Sequence, residues 1–234
     1  MEAIILAGGK AERLGDAAAG RPKALVPIAG HPLAEYQATQ LVAAGVTRVI
    51  VSCAAGQGEH FLEALDGTGA EIVLAEEPER LGRGGGLRFA AARRSEDGPV
   101  FALNGDELLD VDLEAMLAHH RRTGAAATIA VAPLVSHLGV VDLEGEHVSG
   151  FREGPRLPYW VNIGCYVLDE EALARLPERG DHEDSTFPEL AEERRLLAWR
   201  HEGTWITVNT PKDLRRAEAF FAEHPEWHPR RAAA

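Results

Sequence analysis

The chain opens on an apolar run, Ala3-Ile4-Ile5-Leu6-Ala7, that halts at Gly8-Gly9, and cations follow at wide spacing before a proline-framed loop. An apolar strand stopping at Gly-Gly can bring bare backbone N–H groups against a phosphate, because glycine allows close approach and positive φ. Arg13 and Lys23, the latter within Arg21-Pro22-Lys23-Ala24-Leu25-Val26-Pro27, supply charge for the same anion. The chain holds only three lysines, Lys10, Lys23 and Lys212, and two of them fall in this segment. Taken alone, Gly8-Gly9 reads equally well as a strand-to-helix turn with solvated cations nearby. The full string is harder to explain that way.

Beyond it, strand-like runs alternate with helix-length amphipathic stretches. Strands are expected at Ala3–Leu6, Arg48–Ser52, Glu71–Leu74 and Val100–Leu103, with helices at Leu33–Ala44, Glu59–Leu65 and Leu87–Arg94. The glycine cluster Leu81–Gly86 is read as a loop. This rhythm implies an α/β fold, a Rossmann-like, mainly parallel sheet with helices on both faces. Ligands of such sheets sit outside the carboxyl ends of the strands, and Gly8-Gly9, the glycine cluster and Asn104-Gly105-Asp106 all lie at such ends. From about residue 125 the texture changes to shorter strands, Ala126–Ala132, Gly139–Leu143, His147–Arg152 and Val161–Leu168, some of them antiparallel, a small β addition in the second half. Helices return at Asp184–Glu193 and Lys212–Glu223. One domain is expected over 1–223, in two halves (1–124 and 125–223), then a loosely held tail, 224–234.

With 234 residues and 45% hydrophobic content, a large core is affordable, and the net charge of −13 argues against nucleic acid or an anionic membrane as the partner. No apolar run approaches a membrane span, and the N-terminus lacks the basic region of a signal peptide. Cys53 and Cys165 stand far apart in apolar, β-like runs and read as buried thiols, and the ten histidines include no zinc-binding pair. The expectation is a cytoplasmic monomer or homodimer.

The motifs now carry a resemblance. The string Leu6, Gly8, Gly9, Arg13, Leu14 with Pro22-Lys23 and Leu25 resembles the N-terminal signature of sugar-1-phosphate nucleotidyltransferases. The texture around Glu76-Glu77-Pro78 is similar to that of mannose- or heptose-1-phosphate guanylyltransferases and muramic-acid-1-phosphate uridylyltransferases. The resemblance implies transfer of a nucleoside monophosphate from an NTP to a sugar 1-phosphate, with Mg²⁺ as cofactor and pyrophosphate as the leaving group. Leu6, Ala7, Gly8, Gly9, Arg13, Lys23, Gly85 and Asn104 would bind nucleotide, and Arg13, Lys23 and Asp106 would be catalytic. Such chemistry needs alignment and charge neutralisation more than covalent help. Asp106 would be the metal-binding carboxylate, although an Asp after Asn-Gly is in itself commonly a turn residue. Asp112 is better explained as a helix N-cap. Gly139-Val140-Val141, Phe151-Arg152-Glu153-Gly154-Pro155 and Val161-Asn162-Ile163-Gly164 match the sugar half, giving Gly139, Glu153, Arg156 and Asn162 as its expected contacts. Trp205-Ile206-Thr207-Val208-Asn209-Thr210-Pro211 matches the C-terminal motif.

Three departures stand out. Arg83 replaces a common threonine, Gly154 replaces the lysine that meets the sugar phosphate, and Thr207 replaces the second metal-binding Asp. Arg156 or Arg152 is the expected substitute for the lysine, and Asn209, whose amide oxygen can bind Mg²⁺, the second metal ligand. Thr210-Pro211 could equally be only a helix start. A nucleotidyltransferase for another phosphate such as phosphocholine, or a regulatory homologue that binds a nucleotide sugar, stays open. A nicotinamide enzyme lacks its dinucleotide loop.

Overall fold

The computed structural model describes residues 1–9, 11–18, 20–227 and 229; Lys10 and most of the C-terminal tail lie outside the described residues, as do the side chains of Glu12, Asp16 and Ala17. Strand β1 (Glu2–Leu6) leads through a 3₁₀ segment (Glu12–Ala18) and a 3₁₀ turn (Lys23–Leu25) to the short pair β2 (Pro27–Ile28) and β3 (His31–Pro32), then to α1 (Leu33–Ala43). There follow β4 (Arg48–Ala54), α2 (Gly58–Leu65), β5 (Glu71–Glu77), α3 (Gly82–Ala91), β6 (Val100–Asn104), β7 (Glu107–Leu109) and α4 (Leu113–Thr123). The second half adds β8 (Ala127–Val135), β9 (Val140–Glu144), β10 (His147–Arg152), β11 (Arg156–Leu168), α5 (Glu170–Ala174) and α6 (Thr186–Glu192). Strands β12 (Leu196–Arg200) and β13 (Trp205–Thr207) and helix α7 (Pro211–Glu223) complete it.

Seven strands form one sheet in the order β12-β8-β11-β6-β1-β4-β5. Strands β6, β1, β4 and β5 run parallel, β11 is antiparallel to both β6 and β8, and β12 returns parallel to β8. The sheet is therefore mainly parallel with helices on both faces, as the rhythm predicts. The central strands show why: Ile4, Ile5, Ile50, Val51, Ala102 and Leu103 are all fully buried, as a strand sandwiched between two helical layers must be. Ile5, Val51 and Leu103 meet Ala38 and Leu41 of α1, Phe61 of α2 and Met116 of α4; Ile4, Ile50 and Ala102 meet Leu87 of α3 and Phe187 of α6.

A third cluster matters most for the site. Ala217 and Phe221 of α7 pack on Ile28, Leu33, Tyr36, Leu108 of β7, and Ile206 and Val208. This seals the β7–β13 ribbon, in which Thr207 pairs Glu107 and Trp205 pairs Leu109, against α1 and α7. The tail begins packed: Pro225–Trp227 forms a 3₁₀ turn, and the Trp227 ring meets Phe220 edge-on at 5.0 Å. The rest of the expected loose tail, His228 and residues 230–234, is outside the described residues.

Sequence and structure differ at the glycine cluster. It is not a loop but the first turns of α3. A Cβ at Gly84 would stand 2.7 Å from the His182 backbone nitrogen, and one at Gly85 2.7 Å from the Glu178 carbonyl oxygen. Glycine is present for close packing against residues 178–182, and that packing outweighs its poor helix propensity. Cys53 and Cys165 are both free and buried. Asp112 caps α4, accepting from the Ala115 amide at 2.9 Å.

Candidate active site

The carboxyl ends of β1 and β6 meet, and Gly105 makes the meeting possible. Its amide donates to the Leu6 carbonyl at 2.9 Å, and a Cβ there would lie 2.6 Å from that same oxygen. The turn it opens is held at three further points. Gln37, buried on α1, donates through Nε2 to the Asn104 carbonyl at 2.7 Å and the Glu107 carbonyl at 2.8 Å. From the other side the Val208 amide donates to the Asp106 carbonyl at 2.9 Å. Asp106 is thus presented on a backbone clamped on both flanks.

Lys23 reaches the same spot. Its 3₁₀ turn follows Pro22, and its amide donates to the Gly9 carbonyl at 3.3 Å. The ammonium donates to Asp106 Oδ2 at 2.6 Å and to the amide oxygen of Asn209. Arg13 donates to that amide oxygen as well, at 3.0 Å. Asn209 is delivered by the α7 cap: Thr210 and Asp213 form a reciprocal capping box with Pro211 in the first turn. The helix start and the site contact, alternatives in the sequence, are consecutive residues.

These groups line a cleft of about 690 Å³ with Leu6, Ala7, Gly8, Gly9 and Asn104. A neighbouring hollow of about 600 Å³ shares Gly8, Gly9, Glu77 and Arg80 with it. Together they have the size of small-molecule sites. Among the described residues nothing accepts from the Gly8 or Gly9 amides, so the glycine turn offers donors to the cleft. Glu77 fixes its outer wall: its carboxylate accepts from Ser52 Oγ at 2.8 Å and the Leu81 amide at 3.2 Å, and a Cβ at Gly86 would meet it at 2.8 Å.

Of the expected nucleotide contacts, Gly85 alone does not line the cleft. Its amide donates to Gly180 O at 3.1 Å, as does that of Gly84 at 2.9 Å, and the Arg83 amide is taken by Asp181 at 2.8 Å. The amides of Arg83, Gly84 and Gly85 are thus committed internally. Arg83 does line the cleft but is clamped to Asp181 at 3.0 Å and to Glu183. It ties α3 to the loop after α5.

The expected sugar contacts are not brought to one point. A Cβ at Gly139 would stand 3.1 Å from Glu153 Oε2, so these two meet beside the exposed β9–β10 hairpin. Asn162 is spent on Tyr166 OH at 2.9 Å, Glu183 at 2.8 Å and the Gly164 amide at 3.0 Å. Arg156 pairs with Glu202 at 3.3 Å and lies over Trp160, and Arg152 pairs with Asp142 at 2.9 Å. Neither arginine lines the cleft; a turn at Gly154, whose φ is +57°, separates β10 from β11. The additional cation that does line both hollows is Arg80, which sequence reasoning missed.

It also missed Glu107. This cleft carboxyl is pushed up to about 8 by burial first and the neighbouring Asp106 charge second, against hydrogen bonds from Trp205 and Thr207 and the Lys23 charge. Its signal was the unusual second carboxylate in Gly105-Asp106-Glu107.

Oxygen donors of Asp106 and Asn209 converge on one point, now filled by the Lys23 ammonium, itself a cation. Two hard oxygens meeting at a cation suit a divalent ion such as Mg²⁺.

Comparison with known proteins shows the family. The profile of the Nucleotidyl transferase family matches residues 2–224. Mannose-1-phosphate guanyltransferase beta-A of Xenopus laevis is 32% identical, over 97% of this chain and 68% of its own. The Danio rerio mannose-1-phosphate guanylyltransferase catalytic subunit beta is 34% identical over 92% of this chain and 62% of its own. Among solved structures, a Bacillus anthracis protein assigned as a glucose-1-phosphate thymidylyltransferase superposes with a TM-score of 0.76 at 17% identity, covering 94% of this chain and 95% of that one. HddC from Yersinia pseudotuberculosis, complexed with GMP-PN, gives 0.72 at 22% identity over 94% and 99%. The chain belongs to the nucleotidyl transferase family, among the sugar-1-phosphate nucleotidyltransferases.

Proposed function

We propose that this chain transfers a nucleoside monophosphate, GMP in the first instance, from an NTP to a hexose 1-phosphate of the mannose type, releasing pyrophosphate. The observation that carries it is the convergence of Arg13, Lys23, Asp106 and Asn209 beneath the open Gly8-Gly9 amides. The choice of guanine and mannose is supported by the names of the relatives alone.

The sugar phosphate oxygen attacks the α-phosphorus in line with the departing pyrophosphate. The Gly8 and Gly9 amides and Arg13 cradle the phosphates, with Arg13 placed to neutralise charge growing on the leaving group. Asp106 and Asn209 would hold Mg²⁺, which when bound supplies Lewis-acid charge at the phosphates. Lys23 then gives up the Asp106–Asn209 position and pairs with phosphate instead. Arg80, at the junction of the two hollows, is the further cation for a phosphate.

Pyrophosphate release over a grid of NTPs and sugar 1-phosphates tests the assignment, with GTP and mannose 1-phosphate expected to turn over fastest. Asp106→Ala should lose turnover at any practical Mg²⁺ concentration while keeping a cooperative melt. Near-normal rates in that variant would remove Asp106 from the mechanism.

A further inference from the structure

The amide of Asn209 has a definite orientation. Its oxygen accepts from Lys23 and Arg13, which can only donate, so the oxygen and not the nitrogen faces the cleft. The nitrogen donates to Thr207 Oγ1 at 2.7 Å. Thr207 stands opposite Glu107, its cross-strand partner in the β7–β13 ribbon. Glu107 is held in its turn by the Trp205 indole, which donates to Oε2 at 2.7 Å.

We infer that Thr207 is a positioning residue: its hydroxyl, accepting from the Asn209 amide nitrogen, fixes the amide so that its oxygen is presented to the cation position. An asparagine χ2 is a broad, two-fold torsion with no strong preference of its own. Without an acceptor behind the nitrogen the amide can turn its NH₂ toward Lys23, Arg13 and an incoming metal, setting donor against cation. Thr207 therefore acts through Asn209 and does not itself touch substrate. The Asn209–Thr207 hydrogen bond is a property of the free protein; only its consequence for metal binding rests on the nucleotidyl-transfer reading.

A purely structural role for Thr207 predicts the opposite behaviour. If this position asked only for a β-branched residue in a short strand, valine would serve as well and serine less well. If the hydroxyl is the point, Thr207→Ser keeps function and Thr207→Val loses it. Two readouts on the full-length protein separate these. In metal-free protein, the Asn209 side-chain NH₂ resonances should show slowed exchange in the wild type and in Thr207→Ser, and lose that protection in Thr207→Val. In a titration followed by the electron paramagnetic resonance of free Mn²⁺, Thr207→Val should bind roughly 10-fold more weakly, the low end for loss of a group that orients a metal ligand, with Thr207→Ser close to wild type. Wild-type amide protection and Mn²⁺ affinity in Thr207→Val, or equal losses in both variants, would overturn the inference. Failure of the catalytic reading looks different: Asp106→Ala would keep turnover while the Asn209 amide signals stayed as they are.

Discussion

Gly105→Ala tests whether backbone proximity at the ends of β1 and β6 is what places Asp106. The added Cβ would start 2.6 Å from the Leu6 carbonyl oxygen and 3.2 Å from Ala24 Cβ. Both obstacles are near the main chain, so no flexible side chain can swing aside. Ordinary contact begins near 3.4 Å, so the strand ends must part by about 0.8 Å. That stretches the 2.9 Å Gly105–Leu6 hydrogen bond beyond useful length, and overpacking adds to the loss of a buried bond, together roughly 2–4 kcal/mol. The effect on chemistry should be larger in proportion. Misplacing a catalytic group by about 1 Å lowers turnover on the order of 10²-fold, whereas Asp106 keeps its own charge and donor contacts. Urea unfolding and steady-state pyrophosphate release on the same preparation give both numbers. Wild-type stability and rate in Gly105→Ala would refute the argument, because the alanine would then fit a space the structure does not leave.

Other outcomes follow from the same geometry. Arg13→Ala should depress kcat more than it raises KM for the NTP, since leaving-group charge grows in the transition state; a change in KM alone would return Arg13 to simple binding. Glu107, raised to about 8 from an ordinary 4.5, takes up its proton more readily folded than unfolded. Its contribution to stability is therefore full below about pH 4.5 and is lost as pH rises toward 8. In EDTA, thermal melts of the wild type should decline across that window relative to Glu107→Gln; parallel profiles would show the carboxyl to be unperturbed. Arg80→Gln should raise KM for a phosphate substrate, and Arg156→Gln, whose partner is Glu202, should not; the reverse result would put the hairpin arginine over the cleft.

The parallel half of the fold was legible because its strands are continuous apolar runs punctuated by glycine, and because Gly8-Gly9, Arg13, Lys23 and Asp106 are spaced as local motifs. What escaped the sequence was set by contacts distant in the chain. The glycines of α3 are chosen by residues 178–182, which no local window includes. Arg83 finds its partners 98 residues away at Asp181 and at Glu183. The three-residue strands β7 and β13 are too short to show a period, yet their pairing puts Glu107 opposite Thr207. Arg156, the expected substitute for the lysine, instead pairs with Glu202, 46 residues further along, beyond the turn at Gly154.

The pairing of Arg13 and Lys23 with Asn209, across 196 and 186 residues, also sets a timetable for the newborn chain. At typical synthesis speeds of ~5–20 residues per second, on the order of 10–40 s separate the appearance of Lys23 from that of Asn209. Through that interval β1, β4, β5 and β6 can already form their parallel core, with Lys23 and Asp106 available to neutralise each other. The second oxygen for a cation arrives only when β13 and the cap of α7 emerge and dock. The parallel centre can thus form well before the oxygens of Asp106 and Asn209 are brought together, and the cleft is among the last features the polypeptide completes.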